Sequence, residues 1–176
     1  MSDFSSYLHL TETPVVLLPK EPLDDAVSRE LMGANLFPAH NTRADAEMSE
    51  LCRAGLLMFN DDLDRAHDIV QSIGSATGSF WHGIMHRREG DFSNANYWWN
   101  RTGEHPLFDE LHDVVLHRVP EFGFLDELRG APTWIPQTFN EWCEKSAETG
   151  EADAALREVQ RLEMKLLIEW CASQVR

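Results

Sequence analysis

WHGIMHRREGDFSNANYWWNRTGEHP, residues 81–106, decides how this chain is read. It holds three histidines, three arginines, three acids and three of the six tryptophans, a mixture found nowhere else in the sequence. The stretch reads as helix broken at Gly90. Polar groups this dense are costly on a packed helix unless they meet partners. The stretch therefore marks both a helical hairpin and a site.

Sliding the chain by 29 residues extends the reading outward. Ala54 then matches Gly83, Asp62 matches Asp91, Leu63 matches Phe92, Ala66 matches Ala95 and Val70 matches Trp99. A looser third copy has Cys143, Ala155 and Val159. Small residues at these points allow two antiparallel helices to approach closely, while the bulky residue fills the groove between them. The pattern resembles the tetratricopeptide repeat, carried here by Gly83, Gly90-Asp91-Phe92, Ala95, Trp99 and Pro106. It departs from that family in its shorter period and in Ser79, which stands where the signature tryptophan belongs, with Trp81 two residues late. The HRREGDFSNANYWWNRTGEHP stretch also resembles a block of uncharacterised bacterial and fungal proteins, a likeness that implies no activity. The expected fold is all-α: stacked antiparallel helical hairpins, as a short solenoid or irregular bundle, with an extended N-terminal arm.

The rest of the chain fits that frame. Residues 1–25 read as the arm, because Val15–Leu18 lies between Pro14 and Pro19 with Pro22 following. Residues 26–176 read as a single helical domain, of ordinary size for one core. Asp24, Asp25 and Ser28 supply caps and early-turn acids to the first helix. Pro106 and Pro136 are suited to first helical positions. Arg118–Gln137, with three prolines and two glycines, reads as one long irregular segment able to cover a site. From Ala152 to about Ser173, Ala155, Leu156, Val159, Leu162, Leu166 and Trp170 form an apolar stripe. Leu167, Ile168 and Cys171 widen it, which admits a homodimer through this C-terminal helix as an alternative to plain core packing.

Composition excludes some partners. A formal charge of −15 argues against nucleic acid and against anionic membrane, both of which select excess Lys and Arg. Cys52, Cys143 and Cys171 are odd in number and lack CxxC spacing, so reduced thiols are expected. The opening MSDFSSYLHL has no basic flank or long apolar run, and no stretch approaches a membrane span. The expected location is cytoplasmic.

In the tetratricopeptide frame His82 and His86 occupy slots of the family's Leu and Tyr, which point into the hairpin. Asn94, Tyr97 and Arg101 share one face of the opposing helix. Three readings follow. The first is a pocket for a small anionic or polar ligand, lined by His82, His86, Arg87, Asn94, Tyr97, Arg101 and His105, with the arginines as a cationic island and indoles for stacking. The second is an enzyme using His82 or His86 for proton transfer, or a divalent metal held by His82, His86 and Glu89 at i, i+4 and i+7, with His105 completing the set. The third is a helical scaffold for protein partners. Trp98 and Trp99 are expected in the core, and Asp64-x-x-His67 is expected as a surface pair.

Overall fold

The computed structural model describes residues 3–38 and 42–175, and every regular element among them is helical. A 3-10 helix, Phe4–Glu12, precedes α1 (Asp25–Gly33), α2 (Arg43–Phe59), α3 (Leu63–Val70), α4 (Ala76–Glu89) and α5 (Phe92–Thr102). There follow α6 (Phe108–Arg118), α7 (Gly123–Gly130), α8 (Pro136–Thr149) and α9 (Asp153–Gln174). The helices pack as hairpins, α2 with α3, α4 with α5 and α8 with α9. The first two stack through α3 against α4, and α9 lies along α2. No helix among the described residues is long and apolar enough to cross a membrane.

The two central hairpins turn in the same way. Asp61 and Gly90, 29 residues apart, both adopt positive φ, at 58° and 86°. The next residue in each, Asp62 and Asp91, is an N-cap whose carboxylate accepts from the backbone N–H three residues on. Such caps satisfy donors that the first helical turn leaves open. Glycine suits the left-handed turn at position 90. At position 61 a side chain is tolerated there at a cost of roughly 1–3 kcal/mol, and its carboxylate is held at 2.5 Å by Arg88.

Close helix approach uses missing side chains. A Cβ on Gly83 would lie 2.5 Å from the Trp99 ring, and one on Gly55 would lie 2.8 Å from Trp81. Each indole thus fills the space beside a glycine, so in the α4–α5 pair Gly83 faces Trp99, with Ala95 also fully buried.

Other expectations are refined. Residues 4–12 of the arm are coiled as the 3-10 helix. Beyond it Val15 and Leu17 are buried, and the Val16 carbonyl accepts from Arg88 and Gln160. The Arg118–Gln137 segment contains α7, whose Phe124, Leu125 and Leu128 enter the core. Helix α7 packs on α6. Pro136 opens α8 as expected, whereas Pro106 lies two residues ahead of α6. On α9, Leu167, Ile168 and Cys171 are fully buried within the single chain, because the helix meets α2, α6, α8 and the 3-10 helix. Ala155, Leu166 and Trp170 of the same stripe are half-buried. All three cysteines are free and buried.

Candidate functional site

Helix α4 is buried all the way round from Thr77 to Arg88. A helix so placed is normally apolar on every face, yet this one carries His82, His86, Arg87 and Arg88. Their environments divide sharply. Arg87 points into the core, where its guanidinium pairs with Glu163, bonds Gln160 Oε1 at 3.2 Å and sits 4.4 Å from the Phe139 ring centre. Arg88 binds Asp61 and the carbonyls of Met58 and Val16. Burial raises the Glu163 carboxyl above its usual range, with Arg87 opposing, and likewise raises Asp61, with Arg88 opposing. Both arginines are structural ties.

The histidines face the other way, towards α3 and α5. His82 and His86, one turn apart, stack with ring centres 4.8 Å apart and planes inclined by 16°. His67 of α3 meets both edge-on, at 5.0 Å and 5.4 Å. One ring nitrogen from each of His67, His82 and His86 can be chosen so that all three lie within 4.8 Å of one another. Trp98 of α5 closes the far face of His82, stacked at 3.7 Å.

Hydrogen bonding within the cluster is uneven. His86 Nδ1 lies 3.0 Å from Glu89 Oε2, and its Nε2 lies 3.1 Å from the Asn94 amide nitrogen. A neutral ring donating from Nδ1 to the carboxylate and accepting at Nε2 satisfies both contacts. His82 is 2 % exposed, and neither of its ring nitrogens has a partner. Desolvation, followed by the nearby His86 and His67, lowers its pKa to about 3. Desolvation also lowers that of His86, against the pull of Glu89. Both rings are neutral near pH 7; the lone pair of His82 is free, and that of His86 Nε2 faces the Asn94 amide.

The residues expected from sequence separate into three groups. His82, His86, Glu89 and Asn94 come together. Tyr97 and Arg101 lie on the rim: Tyr97 is 54 % exposed, and the Arg101 guanidinium rests over Trp98 at 5.4 Å and over Tyr97 at 5.8 Å. Arg87 and His105 lie elsewhere. His105 is buried beneath Trp170 and Phe80, accepts from the Leu107 N–H and meets the Thr77 hydroxyl at 3.2 Å. Trp99 is in the core, whereas the half-buried Trp98 belongs to the site. The missed member is His67. Expected as a surface pair with Asp64, it instead meets His82 and His86 where α3 packs on α4.

Glu89 also lines an acidic cleft with Asp61, Asp62 and Asp64 beneath residues 19–22. Comparison with family models, curated proteins and solved structures gives no match.

Proposed function

We propose that this protein binds a divalent transition-metal ion through His67, His82 and His86. The observation that carries this reading is His82, whose two nitrogens are buried without partners beside two further imidazoles. A buried polar group left unpaired costs roughly 1–3 kcal/mol, and a metal bond is one way to recover that cost. Nitrogen ligands about 2.0–2.1 Å from a tetrahedral ion stand roughly 3.3 Å apart, so binding turns the three rings to draw in nitrogens that now lie within 4.8 Å of one another. Imidazoles suit zinc, copper, nickel and iron. Glu89 serves as the carboxylate that orients His86, fixing which nitrogen faces the ion.

Three protein ligands leave a coordination position for water, which zinc acidifies towards pH 7. An enzymatic role would use the same ion. We also read the α2–α3 and α4–α5 hairpins as copies of one helical repeat, a reading supported by their matching turns and caps.

The test is zinc titration of metal-stripped protein by calorimetry with elemental analysis. One equivalent is expected for the wild type, and well below one for His67→Ala or His82→Ala, with His112→Ala as a control that keeps full binding. Bound zinc should stabilise the fold by about 2.7 kcal/mol at a hundredfold excess over its Kd. Metal-free protein inert to zinc, copper, nickel and iron overturns the reading.

A further inference from the structure

We propose that the open coordination position of this ion takes a small oxyanion, a carboxylate or a phosphate, received by Asn94 and Arg101. The inference rests on the metal reading above and adds to it the class of ligand.

Charge is the first argument. Three neutral imidazoles leave the ion its full double positive charge, in a setting where His82 and His86 are almost wholly buried. A buried charge is stable when an opposite one is bound beside it. Glu89 does not fill that role directly, because its carboxylate is bonded to His86 Nδ1 and acts through the ring. Glu89 thus offsets part of the charge from behind the ring, and an anion at the open position offsets it directly.

The chemistry of the open side is the second argument. Asn94 directs its amide nitrogen at His86 Nε2. That nitrogen cannot accept this hydrogen bond and hold a metal with the same lone pair. Metal capture at Nε2 thus releases an amide donor next to the ion. Further along α5, Arg101 makes no ion pair or hydrogen bond among the described residues, and rests over Trp98, the ring on which His82 is stacked. Phe92–Thr102 contains no Asp or Glu, in a chain where acids outnumber bases by 30 to 15. The surface offered by α5 is consequently one of donors and aromatic faces. An oxyanion matches the donors, and a flat organic group attached to it matches Trp98 and the exposed ring of Tyr97.

Cobalt-loaded protein tests the proposal, because the visible spectrum of bound Co2+ responds to a change in its ligands. Inorganic phosphate, acetate and benzoate are titrated separately at a fixed cobalt-to-protein ratio. The expected result is a saturable spectral change with at least one of the three. Arg101→Gln should weaken that response at least tenfold while leaving cobalt bound at one equivalent, and Arg101→Lys should recover part of it. Asn94→Asp should retain cobalt and lose the anion response, since its carboxylate occupies the position itself. One equivalent of cobalt with a spectrum blind to all three anions overturns the oxyanion proposal alone. An unchanged response in Arg101→Gln overturns the assignment of the anion to that side of the cluster. Wild-type protein that takes up no cobalt overturns the metal reading, and this one with it.

Discussion

His105 and His82 are the same side chain under nearly the same burial, 6 % and 2 % exposed, and both have pKa values lowered mainly by desolvation. One of them is saturated. His105 accepts the Leu107 N–H at Nδ1, which leaves its Nε2–H to donate to Thr77, so the neutral ring uses both nitrogens. His82 uses neither. Arg87 and Arg88 side with His105, each held by a carboxylate and further acceptors, with only Arg88 Nε left over. Among the described residues His82 is the one histidine with both ring nitrogens buried and unpartnered, and it lies next to two further imidazoles able to share a ligand. Burial of a polar group is ordinary when it is paired. What sets His82 apart from the other unpartnered buried groups, such as the indole N–H groups of Trp81 and Trp99, is that its nitrogens lie beside those of His67 and His86.

The largest effect should come from opening one of the closed pairs. Glu163→Ala leaves Arg87 charged and uncompensated among Phe139 and Trp99, a loss expected to cost about 3–5 kcal/mol. Urea denaturation measures it, with Glu163→Gln as a milder variant that keeps a hydrogen-bond acceptor. A cost below about 1 kcal/mol, the scale of exposed pairs, would remove Arg87 from the structural side of the comparison.

The next effect concerns protons at His105. Its folded pKa, about 4 against an ordinary 6.5, is held down by burial. Above pH 6.5 both folded and unfolded rings are neutral and the residue adds no pH dependence. Between 6.5 and 4 the unfolded chain takes a proton that the folded one refuses, so stability falls as pH falls. Below 4 the folded ring is protonated as well and the loss levels off, at on the order of 3 kcal/mol. His105→Gln should flatten the stability profile over this window by about 1.4 kcal/mol per pH unit, leaving the slope due to the other buried histidines. Denaturation curves at pH 7 and pH 5 decide it. Equal slopes in variant and wild type would mean that His105 is not held neutral.

Local chemistry was the legible part of this molecule. The 29-residue offset located both turns because the residues concerned, Asp62 and Asp91, act on backbone atoms three positions away. The i, i+4 spacing placed His82 and His86 on one face, and the facing helix supplied Asn94. What escaped was set by distant sequence. Arg87 is adjacent to His86, but a helix turns about 100° per residue, and the groups that draw it inward are Gln160 and Glu163 on α9. Residues within α4 do not announce partners more than 70 positions on. His67 was hidden for the same reason, since its role depends on how one hairpin stacks upon the next. Trp98, which the 29-residue offset pairs with Ile69 and so predicts in the core, instead covers His82.

The smallest effect is the one that separates His82 most cleanly from a packing residue. His82→Leu replaces a ring with two unpaired nitrogens by an apolar side chain of similar size. Replacing a satisfied buried polar group would strand its partner and lower stability, but His82 has no partner to strand. In metal-free protein the variant should therefore be as stable as the wild type or more so, by up to about 1 kcal/mol, with some gain offset by lost stacking on Trp98. Its zinc binding should fall well below one equivalent, so that added zinc raises the wild-type melting temperature and leaves that of the variant nearly unchanged. On the proposed reading, such a residue opposes stability in the free protein and stabilises it only with the ion bound. If the metal-free variant instead loses 2 kcal/mol or more, His82 holds the fold as His105 does, and the contrast between the two histidines collapses.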